Sequence, residues 1–152
     1  MVRIVENSLG LPTARVRELA RLARPRATPP VELILRPTRA TPSHPRGVRW
    51  NASSTPEAAV VEIELGLRWR YPFYHRHGAP ALRQGYLSWG WIPSLEVCLL
   101  GLLAHELRHC WQVVWPDRRW SLEVEGRVKS PFAWAGERDA DRWALQVLGR
   151  AA

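Results

Sequence analysis

Hydrophobic and polar positions alternate most regularly over residues 60–71. Val61, Ile63, Leu65, Leu67, Trp69 and Tyr71 fall on one side, and Glu62, Glu64, Gly66, Arg68 and Arg70 on the other. A period of two sustained over that length predicts a strand with one packed face and one face in water or in a cleft. A shorter alternation of Val31, Leu33 and Leu35 predicts a second strand over residues 31–36. Upstream the period lengthens. Val16, Leu19, Ala20 and Ala23 form the apolar stripe of a helix over residues 12–24, opened by Pro12 and Thr13 and broken by Pro25, Pro29 and Pro30. Residues 37–57 carry four prolines with several Ser and Thr, and predict a loop with a short strand around 48–50.

The second half of the chain is helical at both ends. Ser94 is a candidate N-cap, Glu96 lies in the first turn, and a helix runs from there to about Trp115, stopped by Pro116. Residues 97–104 include no charge, so this helix belongs in the middle of the domain. Residues 72–92 are rich in Gly, Pro and aromatics. Residues 117–130 are polar, with a candidate short strand at 122–124. A last helix covers 132–148 and is expected to end at Gly149. Strands and helices in this order predict an α+β fold in one domain over residues 1–152, with a basic N-terminal region at 1–57 and a core at 58–150.

Composition changes the picture in two places. The chain has 152 residues and a net charge of +8, but residues 1–50 hold ten Arg against three Glu. Such a basic third is a candidate surface for nucleic acid or an acidic partner. Of the 22 basic residues only Lys129 is Lys, a skew that GC-rich coding produces whatever the function, and Trp50 is the one aromatic residue among the first fifty. There is thus no interleaved stacking platform, and nucleic acid is not the favoured partner. The first ten residues, with Arg3, Glu6 and Asn7, lack the apolar core of a secretory signal, and no apolar run is long enough to span a bilayer, so a cytoplasmic address and no membrane partner are expected. Cys98 and Cys110 fall on one helix about 18 Å apart at 1.5 Å per residue, which excludes a mutual disulfide and predicts two reduced, buried thiols.

The chemistry is concentrated in the apolar helix. His105-Glu106-Leu107-Arg108-His109 is an H-E-x-x-H sequence. Residues i and i+4 share a helix face, so both imidazoles reach one metal ion, while Glu106 points about 100° away and is placed to serve as a base toward water there. At this His and Glu content the pattern arises by chance in about 0.01 chains. A third ligand has to come from elsewhere, and the sixth position after His109 is Trp115, not His. In the final helix Ala133, Ala140, Ala144 and Leu148 make an apolar stripe that also contains Glu137 and Asp141, whereas Arg138, Asp139, Arg142 and Gln146 lie on the other side. Two carboxylates within an apolar stripe require a cation or donors. Glu137 is the candidate third ligand and Asp141 the candidate acceptor for the free N–H of a ligand histidine, with Glu123 and Glu125 as rivals for the ligand position.

His105-Glu106-x-x-His109 followed by Glu137-x-x-Ala140-Asp141-x-x-Ala144 resembles the gluzincin zinc peptidases, above all their minimal single-domain forms and the ImmA/IrrE-like domains of phages and mobile elements. The resemblance covers residues 94–148. It implies Zn2+ held by His105, His109 and Glu137, Glu106 as general base, Asp141 in support of a histidine, and a protein or peptide substrate. It also implies a small zincin-like sheet on the active-site helix, with an edge strand that aligns substrate backbone, and strand 60–71 is the candidate for that edge. Tyr71, Tyr74, His75, His77 and Tyr86 are candidates for stabilising the oxyanion. Two other functions share these features: a catalytically silent or latent, metal-stabilised interaction module, and a repressor-cleaving regulator with a DNA-associated partner.

Overall fold

The alternating segments form neighbouring strands, and the apolar helix packs beneath them. The structure, a computed structural model, describes residues 1–37, 50–55, 58–65, 95–114 and 135–151. It is α+β. In chain order the elements are β1 (Val2–Asn7), α1 (Thr13–Ala23), β2 (Val31–Pro37), β3 (Trp50–Thr55), β4 (Val60–Leu65), α2 (Leu95–Val114) and α3 (Ala135–Ala151). The sheet order is β1-β2-β4-β3. β1, β2 and β4 run parallel, and β3 returns antiparallel along β4.

β1 and β2 are adjacent parallel strands joined through α1, which is the βαβ unit that a parallel pair requires. The turn from β1 into α1 passes through Gly10 at φ +80°, a left-handed conformation that a side chain disfavours. Pro12 then precedes the helix without a side-chain cap; its carbonyl accepts from the Val16 N–H at 3.1 Å. The stripe read in the sequence is the buried one: Val16, Leu19, Ala20 and Ala23 are all in the core.

The sheet has one apolar and one polar face. Val31, Leu33, Leu35, Val61, Ile63 and Leu65 are fully buried against the helices. Glu32, Arg36, Glu62 and Glu64 alternate with them on the other face, where Arg3 pairs with Glu32 and Arg36 with Glu6. Arg15 of α1 reaches across to Glu96 in the first turn of α2 at 2.7 Å. Three arginines of the basic N-terminal third are therefore held in ion pairs within the fold.

α2 is the central element. Cys98 to Leu107 are buried without interruption, as the uncharged run predicts, and α2 touches α1, α3, β3 and β4. Both cysteines are buried and neither is in a disulfide, and burial pushes the Cys98 thiol up to about 12. α3 crosses α2 through Ala140, Ala144 and Val147 and is tied to the end of α1 by the Trp143 indole N–H, which donates to the Ala23 carbonyl at 2.8 Å. Among the described residues no helix is long and apolar enough to cross a membrane.

Three expectations need correction, and one strand lies where the sequence pattern assigns no element: residues 2–7 form β1, whose Val2 and Ile4 pack on the core. Residues 50–55, read mostly as loop, form β3; Trp50, Asn51, Ala52, Ser53, Ser54 and Thr55 pair with β4 from Leu65 back to Val60. β4 is not an edge: it lies between β2 and β3. Finally, α3 runs through Gly149 to Ala151, because the helical bonds continue where the glycine was read as a stop. The remainder of strand 60–71, the N-cap Ser94, residues 72–92, the segment 117–130 and Ala133 lie outside the described residues.

Candidate metal centre

Two helices build the site. α2 presents His105 and His109 one turn apart, with imidazole centroids 4.7 Å apart and ring planes near perpendicular. α3 presents Glu137 in its first turn and Asp141 one turn on. The helices meet because α3 carries small residues, Gly136, Ala140 and Ala144, on the side that buries against α2. Small side chains bring the backbones close enough for short carboxylates to reach the rings.

The side chains converge tightly. His105 Nε2 lies 3.0 Å from Glu137 Oε2 and 3.0 Å from His109 Nε2. His109 Nε2 lies 3.2 Å from Glu137 Oε1. Four-coordinate zinc with bonds of about 2.0–2.1 Å needs ligand atoms roughly 3.3–3.4 Å apart, within a few tenths of an ångström of this spacing. Among the described residues, His105, His109 and Glu137 are the one group of three side chains able to hold a metal ion together. Glu123 and Glu125, the rival ligands, lie outside the described residues.

The outer hydrogen bonds decide what these atoms can do. Asp141 Oδ1 stands 3.0 Å from His105 Nδ1, with both residues buried. A carboxylate there accepts, so Nδ1 carries the proton and the neutral ring turns a lone pair inward from Nε2. His109 Nδ1 stands 2.9 Å from Gln112 Oε1. Gln112 Nε2 donates to the Gly136 carbonyl and to Asp139 Oδ2, each at 2.9 Å, which fixes the amide with its oxygen toward His109. The second ring then also turns a lone pair inward. Glu137 adds a carboxylate, which only accepts. Three acceptors thus meet with no proton among them unless the rings are charged, and such a set calls for a cation.

Without metal, protons fill that need. Burial pulls His105 down, but the carboxylates of Asp141 and Glu137, with the charge of Glu106, outweigh it and raise the ring to about 10. Burial also pulls His109 down, and Glu137 reverses it to a net rise. Burial pushes Glu137 up, yet hydrogen bonds from His105 and His109 hold it down at about 2. Asp141 goes the other way: burial, with Glu137 close by, keeps it above the usual aspartate range despite the bond to His105. A dense patch of negative charge at a helix–helix seam is what a divalent cation relieves.

Glu106 is 4% exposed, and among the described residues no hydrogen bond reaches its carboxylate. Asp139 corrects the helix-wheel reading. Arg138, Arg142 and Gln146 are exposed as expected, but Asp139 turns back onto α2. Arg108 grips it with Nε at 2.7 Å and a second N–H at 3.1 Å, while the guanidinium stacks 3.8 Å above the Trp111 ring. Burial raises Asp139, and Arg108 and Gln112 bring it below the usual range. Sequence reasoning missed Gln112 altogether. The available signal was its position three residues after His109, on the same helix face. Tyr71, Tyr74, His75, His77 and Tyr86 lie outside the described residues.

No protein-family model, curated protein or solved structure matches the chain.

Proposed function

We propose that this chain is a zinc-dependent peptidase of gluzincin type, in which His105, His109 and Glu137 hold the metal. The observation that carries the reading is the inward-facing acceptor set, with each histidine pinned at Nδ1 by its own partner. Two imidazoles and one carboxylate are the donor set of a catalytic zinc site that keeps a position open, whereas purely structural zinc sites are closed and usually rich in thiolate. Both thiols of this chain are apart from the cluster's ligand set.

Zinc, when bound, supplies a Lewis acid that polarises a peptide carbonyl and acidifies water. The chain's own residues do the rest. Asp141 holds the His105 ring in the ligating tautomer. Glu106, next to His105 on α2 and close enough for its charge to act on both rings, takes the proton from the attacking water and returns it to the leaving amine. Among the described residues β3 ends the sheet on the side that touches α2, so strand-wise alignment of a peptide falls to β3 rather than to β4.

The 4% exposure of Glu106 favours a second reading, a metal-stabilised module without turnover. One experiment separates the two. Protein purified without chelator is assayed for zinc by mass spectrometry and incubated with a proteome-derived peptide library. Bound zinc with cleavage that a chelator abolishes supports the peptidase. Bound zinc with no cleavage supports the silent module, and absence of zinc overturns both.

A further inference from the structure

The two ligand histidines are held by different chemistry. His105 faces a carboxylate, the Asp141 side chain, whereas His109 faces a neutral amide. An amide is an ambiguous partner, because either end can face the ring: turned one way it accepts, turned the other it donates. Here the choice is settled from α3. The two N–H groups of Gln112 are both consumed, one on the Gly136 carbonyl and one on Asp139 Oδ2, and neither of those atoms can donate. Asp139 is in turn fixed by the two-pronged Arg108, itself stacked on Trp111.

Building on the metal reading above, we infer that Gln112 is a positioning residue for His109, holding the ring proton on Nδ1 so that Nε2 stays free for the metal, and that Asp139 and the Gly136 carbonyl set the amide that does so. Imidazole in water prefers its proton on Nε2, so an unguided His109 would turn an N–H toward the cluster. The arrangement also limits charge. A carboxylate at position 112 would hold the proton equally well, but it would stand against Asp139 with no donor between them and would add a further negative charge beside Glu137 and Asp141. A neutral amide transmits the orienting effect of Asp139 while keeping that charge one residue further from the ring. Because Gln112, Arg108, Trp111 and His109 belong to one stretch of α2 and Asp139 to the turn of α3 that carries Glu137, the same contact that docks the helices orients the ligand.

The test compares wild type with Gln112→Met, which keeps an unbranched side chain of similar length and removes the acceptor, and with Asp141→Asn. Two quantities are read on the full chain: zinc affinity by competition with a chromophoric chelator, and the Nδ1–H resonances of the two rings in the zinc-loaded protein by 1H–15N NMR. Gln112→Met should weaken zinc about 10–100-fold and shift or lose the hydrogen-bonded His109 Nδ1–H resonance, leaving that of His105 in place. Asp141→Asn should weaken zinc by a similar factor and move the His105 resonance instead, leaving that of His109 in place. A purely structural Gln112 would lower the melting temperature without moving the His109 resonance or zinc affinity, and that result overturns the inference. If Gln112→Met does not fold, Asp139→Ala leaves Gln112 present and frees its amide; a loss of several-fold in affinity is expected, and an unchanged affinity overturns the role of Asp139. Wild-type protein that binds no zinc overturns the metal reading itself, an outcome distinct from either.

Discussion

His105 and Asp141 meet across the α2–α3 seam, Nδ1 to Oδ1 at 3.0 Å, with both side chains buried. That contact fixes the ring proton of a histidine on one helix through a residue on another, and under the proposed zinc reading it separates the roles of the two carboxylates on α3. Glu137 supplies an atom to the cluster, while Asp141 supplies only orientation. Glu137→Ala should nearly abolish zinc binding. Asp141→Asn, which keeps the shape, should weaken binding about 10–100-fold. Titration of metal-free protein with zinc against a competing chelator gives both values. Equal losses in the two variants would remove the distinction.

The ligands themselves make a simpler prediction. Purified protein should hold about one zinc per chain, and His105→Ala or His109→Ala should lose it. Each variant should also lose the stabilisation that zinc confers on the folded chain, so adding zinc should raise the melting temperature of wild type and leave both variants unmoved. Scanning fluorimetry with and without chelator reads this directly. Full zinc retention in both variants would disprove the site.

Much of this was legible because the governing signals are local. The helical spacing of His105 and His109, the uncharged run at 97–104 and the apolar stripe of α1 depend only on neighbours along one element, and each is where the pattern puts it. Glu137 and Asp141 were legible for a related reason: carboxylates within a stripe of alanines announce a partner. What was not legible depends on contacts far apart in the chain. β1 is short and interrupted by an irregularity between Ile4 and Glu6, and it is a strand because β2 offers it hydrogen bonds. β3 has a polar sequence, WNASST, whose pairing along β4 supplies the order that composition does not. Asp139 was misjudged because a helical wheel gives a direction from the axis but not the reach of an arginine and a glutamine from the facing helix.

Glu106 lies between the two ligands in sequence and is not one of the three atoms that converge. Glu106→Gln keeps the size and removes the carboxylate proposed as the base. Zinc content and melting temperature should stay near wild type, and hydrolysis should fall by at least the 10²–10⁴-fold typical of a lost general base. A chain that cleaves peptides at the wild-type rate with Gln at this position uses another base.

The last prediction concerns pH, and its sign follows from the directions of the shifts. His105 in the folded, metal-free chain titrates near 10, above its ordinary 6.5. A group with a raised folded value contributes stability that is complete below the ordinary value and is lost as pH climbs through the folded one. Glu137, held at about 2 against an ordinary 4.5, contributes above 4.5 and loses its effect as pH falls through 2. The two shifts share the His105–Glu137 contact, with Asp141 the larger cause of the rise at His105 and His109 adding to the fall at Glu137, so together they place the full effect of the cluster between about pH 4.5 and 6.5, with a decline from there toward pH 10. The metal-free protein should therefore melt at a lower temperature at pH 9 than at pH 6. Zinc works in the opposite sense, because it binds only the deprotonated rings and must displace their protons. Its affinity should rise over the same interval, and the gap between the zinc-loaded and metal-free melting temperatures should widen from pH 6 to pH 9. Calorimetry in buffers of different ionisation enthalpy should count protons released on zinc binding at pH 7, with at least one expected from His105. A gap that narrows with pH, or zinc binding that releases no proton, would mean that the rings are already neutral in the metal-free fold, and that the acceptor set is satisfied by something other than a proton or a metal.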